Sequence, residues 1–272
     1  MPFRITTPPA AEPLHLDEVK AHSRIQHASE DTLVSRFLRA ARMDLEEILG
    51  RALVTQTLTL ALDAFPFSCG AYAAWAESES AILLPRSPAI AVSAVTYLDP
   101  DGVTQTLAAS NYLLDTFMEP NRILPAYGVS WPSTRTQVNA VQITYTAGYA
   151  TPFTVNTGSD VCTFLGRAPV ANEVLRLRNS GGALPGGLSE NIDYYAVNVS
   201  GLTCKLSLTS GGSAIDITSA GTGTHYAGEI PEAILDELKL WVGNAFENRE
   251  AAVSHRPQIL VSQNYRLRGA MQ

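Results

Sequence analysis

The side chains from which a reactive centre could be built are few and poorly spaced. His22 and His27 stand five apart, not the four that would set two metal ligands on one helical face. His15, His225 and His255 have no Cys or carboxylate at metal-binding spacing. Cys69, Cys162 and Cys204 are odd in number and lack a C-x-x-C pair, so neither a zinc site nor a disulfide framework is indicated and the thiols are expected to be reduced. Gly128-Val129-Ser130-Trp131-Pro132 is the nearest string to a nucleophile elbow, but it lacks the second glycine that the strained turn requires. No glycine-rich string ending in Lys-Ser or Lys-Thr offers a phosphate cradle. The carboxylates Asp44, Glu46, Glu47, Asp236 and Glu237 fall on the polar faces of expected helices, where solvation explains them better than paired acid–base chemistry. No enzyme, cofactor or metal is expected.

The composition bounds the class of protein. The chain has 272 residues, enough for one large domain or one domain with an insert. Only 17% of residues are charged, against roughly 25% in an average soluble domain, so Ser, Thr, Asn and Gly must cover much of the surface. A net charge of −7 gives no general attraction to nucleic acid or an anionic membrane. No apolar run approaches the roughly 18 residues of a membrane span, and the opening MPFRITTPPAAEP has no apolar signal core. A soluble protein that starts in the cytoplasm is expected, with no membrane partner.

The elements that must position any site read as α+β. Residues 1–13, with Pro2, Pro8, Pro9 and Pro13, are expected to form an extended arm. Leu16, Val19 and Ile25 then mark a short helix, with Asp17 and Glu18 in its first turn. The strongest helical stripe is Leu33, Val34, Phe37, Leu38, Ala41, Leu45, Ile48 and Leu49, predicting a helix over 29–49 capped by Ser29 and ended by Gly50. From Leu53 to Leu62 the period changes to two, as in a half-buried strand. Val92 to Leu98 and Val103 to Leu107 flank Asp99-Pro100-Asp101-Gly102 and should pair as a hairpin. Tyr112 to Asp115 and Val138 to Tyr145 read as further strands. Pro231 opens a last helix, about 230–250, with Ile234, Leu238, Trp241, Val242, Ala245 and Phe246 on one face.

Residues 152–226 differ from the rest. They hold most of the glycines and no helical stripe. Short β-like runs at 153–155, 161–165, 174–178, 194–199, 203–208 and 214–218 alternate with Gly, Ser and Asn turns, which predicts an inserted all-β barrel or sandwich. The domain plan is therefore an arm 1–13, a core 14–151 with 227–252, an insert 152–226 and a tail 253–272. That tail lacks acidic residues and interleaves Arg256, Arg266 and Arg268 with Ile259, Leu260 and Tyr265, the composition of a segment that orders on a partner.

The order of these parts resembles the head-tail connector, or adaptor, proteins of long-tailed double-stranded DNA phages. The strings that carry the resemblance are Leu16-Asp17-Glu18-Val19-Lys20-Ala21-His22, Arg51-Ala52-Leu53-Val54-Thr55-Gln56-Thr57, Ile82-Leu83-Leu84-Pro85-Arg86-Ser87-Pro88 and Val95-Thr96-Tyr97-Leu98-Asp99. Asp101-Gly102, Trp131-Pro132, Tyr145-Thr146-Ala147-Gly148-Tyr149, Ile230-Pro231-Glu232-Ala233-Ile234 and Glu247-Asn248-Arg249-Glu250 follow in the same order. Two departures stand out: Ser23 occupies a usually apolar position of the first helix, and the 152–226 module lies where many relatives have a few residues. The module itself, with Asp193-Tyr194-Tyr195-Ala196-Val197-Asn198, resembles a β module of assorted phage structural proteins.

The resemblance implies a helical connector core and a ring of subunits, typically twelve, beneath the portal in the virion neck. Such a ring is assembled in the host cytoplasm, extends the DNA channel without binding DNA specifically, and docks a tail terminator or stopper protein. On that view Arg256, Ile259, Leu260, Tyr265, Arg266 and Arg268 are the expected portal-binding residues. The rival reading is a carbohydrate-binding surface module built on the insert, with Tyr194, Tyr195 and Trp131 as stacking platforms.

Overall fold

The computed structural model describes residues 3–66 and 80–249, and its elements enclose three hydrophobic cores. The first core is helical, built by α1 (Leu16–His22), α2 (Asp31–Leu49) and α3 (Glu232–Glu247). Val34, Leu38, Ala41, Leu45 and Leu49 recur at steps of three and four along α2, and all are buried against Val19, Ile25, Ile234, Leu235, Leu238, Trp241 and Val242. Burying each large side chain stabilises by roughly 1.5–3 kcal/mol, so this stripe holds the two long helices together. Gly50 ends α2 in the left-handed region at φ 67°, where a side chain would be strained.

The helix starts differ from expectation. Glu30, not Ser29, is the residue before α2, and Ser29 Oγ instead shares a 2.8 Å hydrogen bond with His27 Nδ1. That competing partner removes Ser29 as a cap. Pro231 sits just outside α3, where its carbonyl accepts from the Ile234 and Leu235 amides.

The second core lies under an antiparallel sheet. Its strands come from β1 (Phe3–Thr7), β2 (Gln56–Leu62), β4 (Ala89–Leu98), β5 (Thr104–Leu107) and β8 (Val141–Ala147), in the order β1-β2-β8-β4-β5. A smaller sheet of β3 (Ile82–Leu83), β7 (Arg122–Pro125) and β6 (Tyr112–Asp115) packs Ile82, Ile123 and Tyr112 into the same core. The expected hairpin pairs Val95 with Leu107 through Leu98 with Thr104, and Asp99 Oδ1 accepts from the Val103 amide at 2.8 Å to hold its turn. The proline-rich start is paired rather than loose: Phe3 to Thr7 form an edge strand on β2. The predicted strand from Leu53 begins only at Gln56, because residues 51–55 bond elsewhere.

The third core fills a closed barrel of β9 (Thr151–Asn156), β10 (Val161–Phe164), β11 (Val174–Ser180), β12 (Asp193–Ser200), β13 (Thr203–Ser207) and β14 (Thr224–Ala227). Five of the six expected runs are strands, but 214–218 is not. Ile217 is drawn inward as a buried plug, its amide bonded to Asp160 Oδ1 at 3.0 Å, and β14 closes the barrel in its place.

The barrel begins and ends at one point, since Thr151 and Ala227 are strand partners. It is also fastened to the helices. Tyr226 is fully buried in the helical core and donates its hydroxyl proton to the Glu12 carbonyl. Ser180 Oγ accepts from the His15 amide at 2.7 Å and donates to Glu18, and Arg178 reaches the Pro13 carbonyl at 3.2 Å. Joining Thr151 to Ala227 is therefore expected to leave a folded helix-and-sheet body, less stable by roughly 3 kcal/mol for the lost Tyr226 packing. Circular dichroism melts of the excised protein check this; a chain without a cooperative transition would make the barrel part of the core.

Candidate functional site

Polar groups of unusual burial gather where three distant segments meet. Residues 51–55, 85–88 and 146–150 are joined by main-chain bonds: Ala52 N–H to Ser87 C=O at 3.1 Å, Gly148 N–H to Pro88 C=O at 2.9 Å, and Thr55 N–H to Ala150 C=O at 2.9 Å. These are three of the strings that carry the family resemblance. A Cβ on Gly148 would lie 2.5 Å from the Thr55 nitrogen and 2.6 Å from the Val54 carbonyl carbon, so only glycine lets the two chains approach this closely.

Side chains lock the junction from all sides. Arg86, 8% exposed, bonds the Glu47 carboxylate and lies 5.5 Å over the Phe3 ring. Arg51, 5% exposed, grips Glu119 through both terminal nitrogens and reaches the Tyr149 hydroxyl at 2.7 Å. Asn121 bridges the turn beneath: its Oδ1 accepts from the Ala89 amide at 2.5 Å, its own amide donates to Ser87 Oγ, and its Nδ2 donates to the carbonyls of Thr116 and Met118. The buried Tyr145 hydroxyl donates to the Pro85 carbonyl, and burial pushes its pKa well above the ordinary phenol range.

The acidic residues expected to be solvated divide. Asp236 and Glu47 face outward, but Glu46 is 2% and Glu237 5% exposed. Glu46 takes the Arg42 guanidinium at 2.9 Å, the Leu53 amide at 2.9 Å and Gln56 Nε2 at 3.2 Å, tying the end of α2 to the junction. Burial raises its pKa, opposed by Arg42 and the Leu53 amide. Glu237 accepts from the Trp241 indole at 3.1 Å. Helical periodicity placed both on a polar face, but it could not show that another segment lies against that face.

Other candidates are structural or stand alone. Ser130 is exposed on the loop after β7. His15 accepts from the Asp17 amide at the start of α1 at 3.3 Å, and His225 is held between Asn179 and the Ala220 carbonyl inside the barrel wall. Trp131 stacks on Phe65 at 4.8 Å and bonds the Ser80 carbonyl, while Tyr194 is 1% exposed with its hydroxyl accepting from the Ser189 amide. Tyr194 offers no free ring face for sugar stacking, and Phe65 takes one face of Trp131. Ser23, the unusual residue of the first helix, buries an unpartnered hydroxyl beside Gly243 of α3, a small residue against a small one at a close helix crossing. Arg256, Ile259, Leu260, Tyr265, Arg266 and Arg268 lie outside the described residues, as do Cys69 and His255.

The sequence reading missed one surface. Phe117 and Tyr127 are fully exposed at opposite ends of the β6–β7 hairpin, and Leu113 between them is 59% exposed. An aromatic in a turn carries no periodic signal, so only the fold reveals it. Among the described residues, β1 and β5 are the two edge strands of the larger sheet.

Two substitutions test the junction. Glu46→Ala would strand the Leu53 amide and half of the Arg42 fork, so a loss of about 3 kcal/mol in urea unfolding is expected; a loss below about 1 kcal/mol would mean the network is not structural. Hydrogen bonding from Arg51 holds the Glu119 pKa below its model-peptide value of 4.5. Its stabilisation is thus complete above pH 4.5 and fades as pH falls through the lower folded value. Glu119→Gln should accordingly be less stable than the parent at pH 7, with the gap closing in acid; an equal gap at pH 7 and pH 3 would contradict the pairing.

Comparison with known proteins fits this reading of the junction. Residues 13–97 match the family described as phage gp6-like head-tail connector protein, a span holding α1, α2 and two of the three junction strings. No curated protein matches the sequence. In fold, the chain is similar to a chain in the virion of a native gene transfer agent particle, with a TM-score of 0.56 at 17% identity over 98% of this chain and 96% of that one. With the same identity and coverage, it is also similar to a chain in the neck of the empty gene transfer agent particle computed with C6 symmetry (TM-score 0.56) and of the native particle computed with C12 symmetry (0.51). The near-complete coverage means that the barrel as well as the helical part has a counterpart there. The chain is thus similar to phage head-tail connectors in sequence over residues 13–97, and to a chain of gene transfer agent particles in fold over nearly all its length.

Proposed function

We propose that this chain is a structural virion protein of the neck, a head-tail adaptor whose copies form a ring under the portal, extend the DNA channel and dock the next tail component. The observation that carries the reading is the connector-family match over residues 13–97, a span that holds α1, α2 and two of the three junction strings. Ring assembly is supported by the C6 and C12 symmetry with which the similar neck structures were computed.

The surfaces a ring subunit needs are available. The edge strands β1 and β5 and the exposed rings of Phe117 and Tyr127 can meet neighbouring copies. Phage necks join a portal to a tail terminator or stopper, and these are the partners above and below. The net charge of −7 leaves a channel wall with no general hold on DNA, so DNA passes without specific binding. Assembly takes place in the host cytoplasm and the finished protein resides in the virion neck. Alone the chain is weakly associated, and the ring closes on the portal.

Within this reading residues 253–272 anchor the portal. Leu260 and Tyr265, with Ile259, supply the apolar side chains that fill desolvated pockets, and Arg256, Arg266 and Arg268 pair with carboxylates and orient the segment. Truncation after Ala252 is expected to abolish binding to DNA-free portal in co-sedimentation, and Tyr265→Ala to weaken it by about 30-fold or more. Undiminished binding by the truncated chain would remove the tail from the interface and leave it to DNA or solvent.

A further inference from the structure

The barrel carries two thiols that nothing above uses. Cys162 on β10 and Cys204 on β13 are direct register partners, and both are free. Their side chains share the barrel interior at 0% and 1% exposure. Directly opposed residues of antiparallel strands have Cα atoms about 4.5–5.5 Å apart, within the roughly 4.4–6.8 Å that a disulfide bridges.

Their place in the barrel gives such a bond a consequence. The β10–β13 seam is short: its register comprises only Cys162 with Cys204 and Thr163 with Thr203, whereas β9 and β10 share four partners. A covalent link at this seam would fasten a ladder that few hydrogen bonds hold, and it would close a long loop of the unfolded chain. We propose that Cys162 and Cys204 form a disulfide site that staples the barrel when the chain folds in, or is opened to, an oxidising medium.

The chemistry needs a disulfide oxidant such as oxidised glutathione. One cysteine, as thiolate, attacks a glutathione sulfur and releases one reduced glutathione; the second thiolate attacks the mixed disulfide and releases the other. The two thiol protons pass to the two departing glutathione thiolates, so two cysteines are oxidised as one glutathione disulfide is reduced. In the closed barrel, burial pushes both thiols up to about 12, which keeps the nucleophilic thiolate scarce. The bond therefore forms during folding or opening, and reduced thiols are what a reducing cytoplasm leaves.

The test uses the full chain carrying Cys69→Ser. It is refolded from denaturant in a glutathione redox buffer and, separately, exported to a bacterial periplasm so that folding does not depend on the refolding protocol. The product is expected to be about 2 Da lighter than the reduced chain, to yield one peptide pair linked through Cys162 and Cys204, and to melt roughly 5 °C higher than its reduced form. The added substitution Cys204→Ser should remove the mass difference and the shift together. Two thiols that alkylate once protein from both routes is denatured would overturn the proposal, and so would a disulfide that lowers the melting temperature.

Discussion

Gly148 comes so close to Val54 and Thr55 that no side chain fits between the two backbones, and the rest of the molecule is arranged around that approach. On one side, the segment after α2 leaves the helical layer and enters β2. On the other, β8 leaves the sheet and, through Tyr149 and Ala150, enters the barrel. The three hydrophobic cores thus meet at one junction, and buried polar bonds add to their packing there: Glu46 holds the end of α2, Arg86 and Arg51 hold the two crossing strings, and Asn121 holds the turn below them. Each of these groups is satisfied by a specific partner, so a shift of any segment would leave a buried charge or amide unpaired.

That arrangement explains what was legible in the sequence. The long helices, the Asp99–Gly102 hairpin and five of six barrel strands declare themselves through local period and turn chemistry. The junction does not. Arg51, Arg86 and Asn121 are separated by tens of residues, and nothing local marks them as buried. The same holds for Glu46 and Glu237, whose helical position predicted solvent while a neighbouring segment or an indole covers them. Residues 214–218 failed for the opposite reason, since an alternating apolar pattern also suits a loop that drops Ile217 into a barrel.

The resemblance to connectors was legible only as a pattern of strings, and two of the strings inside the family match, residues 51–55 and 85–88, meet at the buried junction. Exposed groups carry little signal of their own, since Phe117 and Tyr127 stand in loop segments beyond the strand ends.

The central claim is that this scaffold exists to build a ring on a portal. Negative-stain imaging of the purified protein, with and without its portal, tests it most directly. The account predicts dispersed single copies alone and a closed ring of copies seated on one face of the portal when the two are mixed. Portal particles without added density, at protein concentrations well above micromolar, would contradict it.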